Sequence, residues 1–233
     1  MKLLELLYPP SCPLCGDVLR EGTHGFCDAC RGKVDYVKTP ACEICGKEIA
    51  KARYVLCEDC ARRPKHFVKG FPAFNYVPPM NEGIYRFKYH FERCHASVFA
   101  GEIVKAHGKE ILSVAPAVLI PVPIHKKKLM KRGYNQAEVL AGELSRLLGI
   151  PVDASVLIRG KNTVPQKNLS PEERKNNLKT AFLSAQNRVN YRSVLLVDDI
   201  YTTGATVEAC TERLLEAGVS EVYYTSICIG KGY

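Results

Sequence analysis

Eight of the eleven cysteines stand as four Cys-x-x-Cys pairs, Cys12/Cys15, Cys27/Cys30, Cys42/Cys45 and Cys57/Cys60, and each pair begins 15 residues after the one before. No other feature limits the fold as strongly. A Cys-x-x-Cys turn offers two thiolates to one tetrahedral zinc ion, so eight thiolates fill two structural Zn²⁺ sites. The segment also reads as a 30-residue repeat, with Gly16 matched by Gly46 and Asp28 by Glu58. Disulfides would need an oxidising compartment. The opening Met1–Pro10 carries Glu5 inside a short apolar run and no small-residue cleavage site, so the expectation is a protein that is not exported. Thioredoxin-like redox pairs do not come four in a row at equal spacing. Sequential grouping, Cys12 to Cys30 and then Cys42 to Cys60, suits the repeat. A cross-braced arrangement, first pair with third and second with fourth, is the alternative. A module this small has little core of its own, and the metal is expected to supply its folding energy. His24 and His66 read as surface histidines, and Cys94, Cys210 and Cys228 as small buried apolar residues.

The formal charge of +9 suggests nucleic acid, but the cysteines correct it. A four-thiolate zinc site carries about −2, so two of them leave the holo protein at about +5. What remains is concentrated in His125-Lys126-Lys127-Lys128-Leu129-Met130-Lys131-Arg132, in the middle of the chain. No apolar run approaches the ~20 residues of a membrane-spanning helix.

Beyond the cysteines the chain changes character. Residues 1–66 form the double zinc-ribbon region and residues 67–233 a second domain, with a strand-then-helix part over 67–112 and an alternating part over 115–233. Residues 71–77 read as a strand, followed by helical stretches through Ile84–Tyr89 and Ala96–Ala100. Val118–Pro123 reads as a buried strand and Asn135–Leu148 as an amphipathic helix ending at Gly149. Ser170-Pro171-Glu172-Glu173 is a capping box. Ser193–Val197 is a strand, Ala205–Ala217 a helix closed by Gly218, and Val222–Ile229 a final strand. Strands alternating with helices predict an α/β fold with a parallel sheet flanked by helices.

The chemistry is concentrated in Val194–Thr206. A buried strand runs into Asp198 and Asp199, and a hydroxyl- and glycine-rich turn, Thr202-Thr203-Gly204-Ala205-Thr206, opens a helix. Backbone N–H groups and hydroxyls at a helix start favour a phosphate, and two carboxylates beside it suit a vicinal diol or a Mg²⁺ complex. Together they describe a ribose 5-phosphate. There is no Walker A loop and no dinucleotide-binding glycine pattern. The segment resembles the phosphoribosyl-pyrophosphate (PRPP) signature of type I phosphoribosyltransferases. By that resemblance Asp198 and Asp199 bind the ribose hydroxyls, and Thr202–Thr206 the 5-phosphate, with Tyr201 in the same PRPP-binding set.

Two further clusters suit the pyrophosphate. One is Arg132-Gly133-Tyr134-Asn135 at a helix start, with Lys126–Lys128 before it as solvated residues. The other is a possible lid containing Lys167 and Arg174. Taken with the zinc knuckles, Pro121-Val122-Pro123 and Arg86-Phe87-Lys88, these motifs resemble the ComF family along essentially the whole chain. The resemblance implies a cytoplasmic protein joining a zinc-ribbon module to a type I phosphoribosyltransferase domain. It also implies a role in bringing transforming single-stranded DNA into the cell beside a helicase-like partner. The expected activity is Mg²⁺-dependent phosphoribosyl transfer, with no catalytic residue assigned and the acceptor open; Tyr76, Tyr85, Lys88 and Tyr201 are the candidates to face it. The alternatives are a non-catalytic PRPP sensor and a DNA-binding scaffold whose ribbons dock a protein.

Overall fold

Alternation along Val194-Leu195-Leu196-Val197 sends successive side chains to opposite faces of a sheet, and both faces are buried, as a parallel sheet covered on two sides requires. The computed structural model describes residues 9–20, 22–51, 53–90, 92–160, 182–184 and 189–231. Its central sheet has four parallel strands: β1 (Gly70–Asn75), β2 (Val118–Pro121), β5 (Ser193–Tyr201) and β6 (Glu221–Ile229), in the order β1-β6-β5-β2. A small antiparallel hairpin, β3 (Leu157–Arg159) with β4 (Phe182–Ser184), stands beside it. The sequence gives no clear sign of this hairpin, because its strands are three residues each.

Helices α3 (Met80–Tyr89), α4 (His95–Ser113) and α6 (Gln136–Leu148) pack on one face. In α4 the buried residues Ala96, Phe99, Ala100, Ile103 and Ile111 follow the helical period. Helix α7 (Ala205–Glu216) covers the other face through Val207, Cys210 and Leu214. The basic stretch expected as a solvated loop is instead a two-turn helix, α5 (Lys126–Arg132). His125 caps its start, and Gly133 closes its end at φ +72°. A glycine in the left-handed region is the common way to stop such a helix.

The two ribbons share one construction. Each has a knuckle turned by a positive-φ glycine, Gly16 or Gly46, and then a helical turn, α1 (Asp28–Arg31) or α2 (Glu58–Arg62), opening at a cysteine. The ribbons do have a core, shared with the sheet. Leu14, Leu19 and Phe26 are buried in the α3–α4 face, where Phe26 meets Phe74 edge-on at 6.0 Å and Phe99 at 6.3 Å. Cys42, Cys45, Cys57 and Cys60 are buried in the α7 face with Phe67. The reason is that the chain runs straight on into β1, so the ribbons cap the two sides of the same sheet. Cys210 and Cys228 are buried as expected, whereas Cys94 is exposed at the start of α4. His24 is exposed. His66, also exposed, is not free: its backbone N–H donates to the Glu208 carboxylate at 3.1 Å.

Candidate functional site

The cysteine ligands group sequentially. Cys12, Cys15, Cys27 and Cys30 bring their sulfurs within 4.8 Å of one another, and so do Cys42, Cys45, Cys57 and Cys60. Cys15 Sγ lies 3.7 Å from Cys27 Sγ, and Cys45 Sγ lies 3.5 Å from Cys57 Sγ. Zn–S bonds of about 2.3 Å in a tetrahedron place sulfurs about 3.8 Å apart. Both clusters therefore fit structural zinc, and the cross-braced alternative falls away.

Strand β5 continues past Val197, where the sequence suggested it would end, and β2 stops opposite Val197 at Pro121. Asp198 and Asp199 thus emerge beyond the end of β2 and stay paired on one side only, with β6. Asp199 accepts an ion pair from Lys88 Nζ at 2.9 Å, and its N–H donates to Asp198 Oδ1 at 2.8 Å. Desolvation, then the neighbouring Asp199 charge, pushes the Asp198 carboxyl up to about 7.

The turn that follows is open to a ligand. Thr202 and Thr203 are exposed, Gly204 is buried at φ +77°, and Thr203 Oγ1 accepts from Ala205 N at 3.5 Å at the start of α7. A Cβ on Gly204 would clash with the Tyr201 hydroxyl. Tyr201 itself is 3% exposed and stacks on Tyr224. Its side chain forms the buried floor of the turn.

The Arg132–Asn135 cluster divides between scaffold and site. Arg132 is buried, donating to Gln136 Oε1 at 2.8 Å and to Tyr89 Oη at 3.1 Å. Tyr134, expected at the pyrophosphate, has a buried side chain, with its hydroxyl on the Phe87 carbonyl and its ring edge-on to Phe87. Asn135 caps α6 through Ala137 N and ties it to Val122 O. The cations that do gather are Lys88, Lys128, Arg132 and Arg159. Burial, then the positive charges of Arg159 and Arg132, pulls the Lys128 ammonium below its usual range. Burial likewise lowers Arg159, while Cys210 and Asp198 act against it. Like charges held together in this way favour an anion among them. Arg159 was missed from the sequence; Lys128, read as solvated, is indeed exposed. Lys167, Arg174 and the Ser170–Glu173 capping box lie outside the described residues. Beside Lys88, a cavity of about 630 Å³ is lined by Tyr76, Ile84, Tyr85, Tyr89 and Lys131.

Two family models match: a double zinc ribbon domain over residues 3–61 and a phosphoribosyl transferase domain over residues 135–230. The chain is 37% identical over 154 residues to Competence protein F of Haemophilus influenzae, covering 64% of this chain and 67% of that one. It is 30% identical over 227 residues to the DNA utilization protein YhgH of Escherichia coli, covering 96% of this chain and 98% of that one. The chain belongs to the ComF family. Another ComF relative, Competence protein ComFC of Bacillus subtilis, is 30% identical over 63% of this chain and 58% of its own length. The ComF assignment agrees with the fold: a parallel sheet of the phosphoribosyltransferase type, joined to a double zinc ribbon. Among the described residues of this ComF chain, no helix is long and apolar enough to cross a membrane.

Proposed function

We propose that the protein binds PRPP with Mg²⁺ at the end of β5 and uses it as a phosphoribosyltransferase in the handling of incoming single-stranded DNA. The observation that carries this reading is the position of Asp198 and Asp199, which share a cluster of four cations and lead directly into the Thr202–Thr206 turn with its exposed Thr202 and Thr203. A ribose hydroxyl pair suits the carboxylates, a 5-phosphate suits the turn, and a pyrophosphate suits Lys88, Lys128 and Arg159. The carboxylates and the pyrophosphate oxygens are hard oxygen donors of the kind Mg²⁺ takes; when bound, the ion would neutralise pyrophosphate charge. Lys167 and Arg174 belong to the same reading as cations on the pyrophosphate side.

The names of the relatives, competence and DNA utilization, support a role in the handling of DNA; a cytoplasmic location and a helicase-like partner belong to the same proposal. The division into residues 1–66 and 67–233 is part of this proposal. The cavity beside Lys88 is where an acceptor would stand, and its three tyrosines favour a planar one. A second reading, in which the ribbons dock a protein and PRPP acts only as a signal, has its own support. Tyr54 and Val55 are about half exposed on the second ribbon, at 51% and 57%. Incubation of radiolabelled PRPP with candidate acceptors separates the two: product formation supports the transferase, and binding without turnover supports the sensor.

A further inference from the structure

The two ribbons are not equivalent. The first rests on α3, where Leu14 lies against Gly83 and Gly16 lies against the Arg86 guanidinium. The second lies beneath the turn that follows β5, and a continuous run of buried contacts joins them. The Tyr224 hydroxyl donates to the Cys45 carbonyl at 2.7 Å. The Tyr224 ring stacks on Tyr201, with centroids 4.7 Å apart and planes within 11°. Phe67 closes edge-on against both rings, at 5.0 Å and 6.1 Å. Tyr201 in turn lies directly under Gly204. Alongside this stack, Gly70 N donates to Ile44 O at 2.7 Å.

A hydrogen bond to the main chain of a metal-ligand residue fixes that ligand's orientation, and the constraint works in both directions. The Cys45 carbonyl sits inside the Cys42–Cys45 knuckle, so it is held only as firmly as the knuckle is. Released, it would leave the Tyr224 hydroxyl buried without its acceptor, a costly state that tilting the ring relieves. Two stacked aromatic rings move together at interior packing density, and the residue above them is the left-handed Gly204 that shapes the turn.

We propose that Tyr224 and Tyr201 are positioning residues through which the second ribbon, and not the first, holds Thr202–Thr206 in its ligand-binding shape. The nature of the ligand rests on the function proposed above, but the coupling of ribbon to turn is a property of the chain and is measurable without ligand.

The test is hydrogen exchange of the full-length, zinc-loaded protein, with PRPP–Mg²⁺ titrated by calorimetry in parallel. Tyr224→Phe keeps the ring, the stack and two zincs and removes only the bond to Cys45. It should raise exchange at residues 202–207 and weaken PRPP binding about tenfold, the scale of one buried hydrogen bond. Amides of β2 should be unchanged. Cys60→Ser should lose one zinc and show the same local signature, larger. Cys30→Ser should also lose one zinc yet leave 202–207 as in wild type. If Cys60→Ser does not fold, Tyr224→Phe against Cys30→Ser decides. Wild-type exchange at 202–207 in Tyr224→Phe, or an equal rise in Cys30→Ser, would overturn the coupling. The predicted exchange pattern across the variants, together with a wild-type protein that binds no PRPP, would uphold the coupling and refute the ligand.

Discussion

Asp198 and Asp199 are neighbours in the chain with different surroundings. Asp199 is held by Lys88, while Asp198 is desolvated, and with Asp199 beside it its carboxyl lies near 7 rather than 3.8. A carboxyl raised on folding gives the folded state the tighter hold on the proton. Its contribution is therefore full below the unfolded value and is lost as pH rises through the window from about 4 to about 7. Two outcomes follow at this scale. PRPP affinity should fall as pH drops below about 7, measured by calorimetry, because the ligand needs the ionised carboxylate. Asp198→Asn should raise the melting temperature at pH 8, by about 2–4 °C for each kcal/mol recovered, while losing PRPP binding. The acid pair and the Thr-Thr-Gly turn were legible in the sequence because their chemistry is local. Arg159 was not, since it reaches Asp198 only through the β3–β4 hairpin. The burial of Tyr201 and Tyr134 was not legible either: both lie inside ligand-like motifs, and their rings are the packing beneath them.

Strand β5, the turn and α7 act as one element, and Gly204 is its most constrained position. Gly204→Ala meets a backbone at φ +77° and the Tyr201 hydroxyl, and should cost about 1–3 kcal/mol of stability in denaturant titrations. Tyr201→Phe in the same chain should return part of that loss, because it removes the nearest atom and leaves the backbone strain. If Gly204→Ala proved neutral, the tight turn described here would be wrong. The alternation of strands and helices predicted the sheet correctly, because the β2, β5 and β6 runs are apolar enough to read directly. The basic segment was harder. Lys126–Arg132 carries no apolar period, and it is helical because His125 caps its start and Gly133 its end.

At the scale of the molecule, the regular spacing of the cysteines revealed the ribbons and favoured their sequential grouping, which the sulfur positions decide, but not where they sit. Phe26 and Phe67 look like isolated aromatics in a cysteine-rich segment, and only the fold shows that they belong to the two faces of the sheet. Burying each such ring stabilises the chain by about 1.5–3 kcal/mol. Zinc removal should accordingly lower the melting temperature of the whole chain in a single calorimetric transition. A separate, unshifted transition for the sheet would show two independent units. The central claim is that Asp198 and Asp199 hold the ribose of PRPP. Calorimetry with PRPP and Mg²⁺ on the protein and on Asp198→Asn/Asp199→Asn tests it directly. The account predicts binding by the first, none by the second, and two zincs in both; equal binding by the two proteins, or none by the wild type, would contradict it.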